Sequence, residues 1–236
     1  MATLLLATLV VTIGATLQGS VGFGLGMFAA PLLILIDPRF VPGPLLCTAV
    51  VFTLLLTHRE RHGVHFADLK WSLTGRIVGI AAAMLALSVV PGERVAVLSG
   101  SLILVAVGLS ASGLHLTIAP ASLVGAGALS GLIGTAVSAG GPPMALLYQR
   151  ETGARIRGTL SMYFFFGVTM SLAGLSFIGR FGWDEIVLAC WLLPGALFGF
   201  VISRRAAQVL DRGAIRTAVL LVSGLSGIVV LLSGVV

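Results

Sequence analysis

Gly14 to Pro31, GATLQGSVGFGLGMFAAP, and Ala126 to Pro143, AGALSGLIGTAVSAGGPP, are the stretches on which the fold turns. Set one under the other they align without a gap at an offset of 112, so that Leu17 meets Leu129, Gly19 meets Gly131, Gly22 meets Gly134 and Pro31 meets Pro143. The chain reads as two copies of one design. Each copy lies inside an apolar segment, where glycine costs about 1 kcal/mol relative to alanine in a helix interior and proline about 3 kcal/mol. Both segments are therefore expected to break near their middle. Backbone freed by a break cannot face lipid and survives only where protein buries it or a cavity hydrates it. Broken apolar segments in corresponding positions of two halves point to a transport site.

The composition places this pair in a membrane. Of 236 residues, 58% are hydrophobic and 9% charged, against roughly 45–50% and about 25% in soluble domains. The mean hydropathy of +1.12 agrees. The formal net charge of +6 does not read as nucleic-acid binding, because the arginines fall in short loops beside apolar spans, as orientation signals do. Cys47 and Cys190 stand alone in apolar segments, which argues against a disulfide framework or a metal site. The N-terminal apolar run has no Lys or Arg before it, which disfavours a cleaved signal peptide.

The expected architecture is an all-α polytopic membrane protein of two inverted-topology repeats, each a broken re-entrant helical hairpin followed by three transmembrane helices. The first repeat, 1–117, holds a hairpin over 2–36, broken at Gly19 to Gly26, and spans at 44–57, 71–90 and 95–114. The second, 118–236, holds a hairpin over 118–148 and spans at 159–178, 186–203 and 217–236. The first apolar segment of about 35 residues would be roughly 52 Å long as a straight helix, too long for one crossing of a 30 Å hydrocarbon core and too short for two. Two half-length helices entering and leaving on one side fit it. With both hairpins re-entrant, eleven Lys and Arg fall on the side of the loop His58 to Lys70, and three, Arg39, Arg94 and Arg180, on the other. If both segments crossed, the split would be nine against five, a weaker bias. Both termini are then expected outside the plasma (inner) membrane. Gly75xxxGly79 and Gly195xxxGly199 carry the spacing of close helix packing.

The breaks carry chemistry as well. A helix end at mid-membrane offers unpaired N–H groups and about half a positive charge, which suits sulfonate, sulfate or carboxylate. No Lys or Arg is expected deep in a span, and Arg76 reads as a snorkelling side chain near a helix end. Candidate substrate-binding residues are Gln18, Ser20, Gly22, Gly24, Gly26, Thr48, Thr135, Ser138, Gly140, Gly141 and Ser161, with the backbone N–H groups of Gly22 to Gly26 and Ser138 to Gly141 as main donors. Each hydroxyl alone could merely bond back to its own helix; together they mark a site. All eight acids fall in loops or at span ends, which weakens a carboxylate-based proton relay. Neither a nucleophile–base pair nor a metal set is legible, so no catalytic residue, metal or cofactor is expected.

At GSVGFGLGMFAAP and GLIGTAVSAGGPP the sequence resembles the TauE/SafE family, membrane proteins associated with export of sulfite, sulfoacetate and other organosulfonates. The resemblance covers essentially the whole chain. The family's glycine run GfGGG reads Gly22-Phe23-Gly24-Leu25-Gly26 in the first half and Gly134-Thr135-Ala136-Val137-Ser138 in the second. The resemblance implies a secondary transporter, an exporter of an organosulfonate or sulfite, with the lipid bilayer and a small anion as its partners; a homodimer is left open. An anion-selective channel, or a carrier of another anion such as a carboxylate, is the alternative.

Overall fold

The computed structural model describes residues 1–91, 94–114, 116–151, 153–209 and 212–234. Val235 and Val236, the last two residues of the eighth expected span, lie outside the described residues. Ten α-helices and two 3-10 turns make up the described chain, with no strand among the described residues. Five of the helices are long and apolar enough to cross a membrane. Large apolar side chains such as Leu9, Leu85, Phe198 and Leu225 point outward, where lipid would cover them.

In the first half, α1 (Ala2–Val21) and α2 (Leu25–Ile36) form the hairpin, followed by α3 (Gly43–Arg59), α4 (Phe66–Val89) and α5 (Val95–Ala111). The second half repeats the order with α6 (Pro120–Val137), α7 (Gly141–Tyr148), α8 (Gly153–Phe177), α9 (Trp183–Val209) and α10 (Arg212–Ser233). The hairpin arms are unequal, contrary to the expectation of two half-length helices. α1 has 20 residues, enough to cross alone, against 12 in α2. α6 has 18 residues against 8 in α7. The reason lies in the inner glycines: Gly14 and Gly19 stay helical because their missing side chains admit Leu25 and Ser203, and the first hairpin turns only at Gly22 and Gly24, where φ is positive.

The halves interlock. α1 packs along α9 and α6 along α4; α3 lies against α8 and α5 against α10; α2 touches α10 as α7 touches α5. These main pairings map onto one another when the first five helices are exchanged for the second five. The contacts follow suit. A Cβ on Gly75 or Gly79 of α4 would fall on the carbonyls of Val124 and Ala128 in α6, and one on Gly195 or Gly199 of α9 on those of Thr8 and Thr12 in α1. Both GxxxG pairs are thus packing seams. They also correct the register: Thr8 corresponds to Val124, Thr12 to Ala128, and the last residue of α1, Val21, to that of α6, Val137, a difference of 116 in each case rather than 112. The sequence alignment is displaced by about one helical turn.

Three buried apolar clusters hold the hairpins among the described residues, one of them built on Ile133, Ala136 and Val137 of α6 with Ala83 and Ile103. Val11, Ala15, Leu33, Phe52 and Leu192 pack around the first, and Leu69, Met144, Leu147, Leu160 and Tyr163 around the second.

Candidate functional site

The first break is made by two glycines. Gly22, at φ 104°, caps α1 in the left-handed region, and its N–H donates to the Gln18 carbonyl at 2.7 Å. Gly24, at φ 133°, opens α2. Such angles are costly to any residue with a Cβ, which is why glycine stands here. The buried Gln18 side chain then accepts from the Leu25 N–H at 3.0 Å, satisfying one of the donors that a helix start leaves bare.

Ser138 takes the place of Gly22 at the second break. It ends α6 at φ 59°, with its N–H on the Gly134 carbonyl at 3.0 Å and its hydroxyl on the Pro42 carbonyl at 3.2 Å. Gly140 precedes α7, whose first turn contains Pro142 and Pro143, residues with no N–H to leave unpaired. The Ser130 hydroxyl donates to the Gly140 carbonyl at 2.6 Å, pinning the break to the body of α6.

The two breaks meet. Gly26, in the first turn of α2, abuts the Ser138 carbonyl so closely that a Cβ has no place there. Beside this contact lies a cavity of about 40 Å³ whose walls include Gln18, Gly24, Thr53, Ser138, Gly140 and Arg76.

Arg76 corrects the sequence reading. It is 1% exposed, not snorkelling. Its guanidinium stacks over Tyr163 at 5.0 Å and Phe164 at 6.0 Å, donates through Nη1 to Ser130 Oγ at 3.2 Å, and keeps a buried Nε without a partner. Gly134 on α6 and Gly167 on α8 leave the space it fills. No carboxylate lines the cavity, and among the described residues none forms an ion pair with Arg76. A charge held so deep without a counter-ion is expensive unless a mobile anion supplies one. A signal for this exists in the sequence: Arg76 follows Gly75, so it sits at the edge of the face that packs on α6 rather than toward lipid.

A second, larger cavity of about 330 Å³ adjoins the first across Gly24 and Met27, which line both. Its walls are mostly apolar, among them Leu17, Phe23, Ala145, Leu146 and Ile156.

The other expected site residues divide between these places and the packing. Gly141 lines the small cavity and Ser20 the large one. Gly22 packs on Ile156. Three of the hydroxyls lie away from both. Thr48 donates to the Pro44 and Ala189 carbonyls, Thr135 pairs with Ser171 at 2.8 Å, and Ser161 bonds back to the Arg157 and Gly158 carbonyls. Thr48 and Thr135 thereby tie helices together, whereas Ser161 bonds only within its own helix.

Sequence reasoning misses one acid. Asp68 lies in the first turn of α4, ahead of the expected 71–90 span, and it is 5% exposed. It accepts from Oη of Tyr148, the last residue of α7, at 3.0 Å, and contacts Arg155 at 3.4 Å and His65 Nδ1 at 3.0 Å. The run HFADLK reads as a loop because its charges surround the one carboxylate that the fold turns inward.

An all-helical chain with several apolar spans, two broken helices meeting at a buried arginine and a cavity beside it defines a multi-pass membrane protein of the transporter class. The family model described as "Sulfite exporter TauE/SafE" matches residues 6–230, and the chain belongs to that family. No curated protein and no solved structure matches it.

Proposed function

We propose that this protein is a secondary transporter of the plasma (inner) membrane that exports a small anion, sulfite or an organosulfonate, by alternating access around the two hairpins. The observation that carries this reading is Arg76: a buried guanidinium without a carboxylate partner, in the wall of a cavity where two broken helices meet. The anion would sit against Arg76 with the Gln18 amide N–H groups and free N–H groups of the first turn of α2 completing its shell. The exchange of corresponding pairings between the halves supports an inverted repeat, in which each half would rock against the other around this point.

The test is flux in proteoliposomes. Sulfite and small sulfonates should move in a saturable way with the native protein, and Arg76→Gln should abolish movement. Unitary currents in a bilayer would instead assign an anion channel, and flux undiminished by Arg76→Gln would remove the site from this place.

A further inference from the structure

The two cavities differ in a way that bears on the cargo, a consequence that rests on the anion-transport reading. The small one, about 40 Å³, contains the arginine and has room for little more than a compact oxyanion. The large one, about 330 Å³, falls in the size range of small-molecule pockets, and it shares with the first the walls at Gly24, where no side chain stands, and at Met27, a flexible one. Phe23 lies over Gly141 at this boundary, its Cβ 3.3 Å from where a Gly141 side chain would begin.

The large cavity has no Asp, Glu, Lys or Arg in its wall. Its side-chain donors are already engaged: Ser20 donates to the Thr16 and Ser203 carbonyls, Ser110 to Met27 Sδ at 3.9 Å, Tyr148 to Asp68, and Gln149 Nε2 to the Leu114 and Leu146 carbonyls. No charged group there would compensate an ammonium or a second carboxylate for lost water, whereas Leu17, Leu146 and Ile156 would accept methylene groups.

We propose that the two cavities are one substrate site in two parts, and that the cargo is a monoanion with a sulfonate-type head at Arg76 and an uncharged, apolar body of several carbons in the larger chamber. Zwitterionic and doubly charged sulfonates are then poor ligands, and inorganic sulfite occupies only the head position.

The experiment is a calorimetric titration of the full-length protein in lipid nanodiscs with sulfite, the unbranched alkanesulfonates from methane- to pentanesulfonate, and taurine. Affinity should rise about three- to fourfold with each methylene buried, and taurine should bind at least tenfold more weakly than ethanesulfonate. Ala145→Phe, which places a ring in the larger chamber, should weaken pentanesulfonate tenfold or more and leave sulfite within about twofold. Equal affinity along the series, or taurine binding as well as ethanesulfonate, overturns the two-part site while leaving anion transport standing. If sulfite and every sulfonate fail to bind, the transport reading falls with it.

Discussion

Gly26 and Ser138, one from each hairpin, touch backbone to backbone with no room between them for a methyl group. The two breaks are therefore a single joint. Gly26→Ala should force the joint open and cost about 1–3 kcal/mol, as overpacking against immobile backbone does. Gly125→Ala, in an open position on α6, should be neutral or gain up to about 1 kcal/mol from helix propensity. Thermal unfolding of both variants in detergent checks the contrast.

Ser138 is the one described residue other than glycine with positive φ. A left-handed conformation costs a residue with a Cβ roughly 1–2 kcal/mol, and here the hydroxyl bond to Pro42 offsets part of it. Ser138→Ala keeps the cost and loses the bond; Ser138→Gly loses both. The glycine variant should be the more stable by about 1 kcal/mol, measured side by side.

Arg76 makes an unusual demand on stability. Replacing a buried charge that has no counter-ion by an apolar side chain is neutral or stabilising, so Arg76→Leu should unfold no earlier than the native protein in anion-free buffer. A bound anion at a hundred times its Kd adds about 2.7 kcal/mol. Sulfite should then raise the native Tm by several degrees and leave that of Arg76→Leu unmoved, a pattern that differential scanning fluorimetry resolves.

Asp68 and Asp37 both pair with arginine, in very different surroundings. The Asp37–Arg39 pair is exposed, with Arg39 77% accessible, and Arg39 holds the Asp37 carboxyl below its ordinary value of 3.8. Its small contribution is complete above that value and fades only as pH falls below it; Asp37→Ala should cost under about 1 kcal/mol. Asp68→Ala strands the buried Tyr148 hydroxyl and leaves Arg155 with Glu151 alone, and should cost about 1–3 kcal/mol. Urea or thermal melts of the two variants decide it.

Sidedness comes from the arginine count. Cysteine placed by Arg155→Cys should resist an impermeant maleimide added from outside, and Arg39→Cys should react. Labelling at 155 from outside would reverse the proposed orientation.

The breaks, the seams and the family are readable because glycine and proline act on their own backbone, within a few residues. The register is not. Gly19 and Gly22 meet Gly131 and Gly134 at the offset of 112 but Thr135 and Ser138 at 116, so glycine identity favours an alignment one turn away from the one the packing makes. Only packing against α4 and α9 fixes the true alignment. Arg76 misleads for a similar reason: the space that receives it is made by absent side chains at Gly134 and Gly167, far away in sequence. The hydroxyls of Thr48, Thr135 and Ser161 fall outside both cavities, because a residue's type does not say which neighbour will claim it.

The interlocking of the halves sets a schedule for synthesis. Thr8, Thr16 and Ser20 on α1 find their α9 partners Trp191, Gly199 and Ser203 at a separation of 183 residues. At roughly 5–20 residues per second the ribosome supplies that stretch only after about 10–40 seconds. Until then α1 must remain in lipid with a column of hydroxyls and no neighbour. Thr8, Thr12, Thr16 and Ser20 each donate to the carbonyl four residues back, at 2.7–2.8 Å. That self-bonded column leaves no donor bare while the first helix waits, and when α9 arrives the hydroxyls of Thr8, Thr16 and Ser20 need only lean toward a second carbonyl.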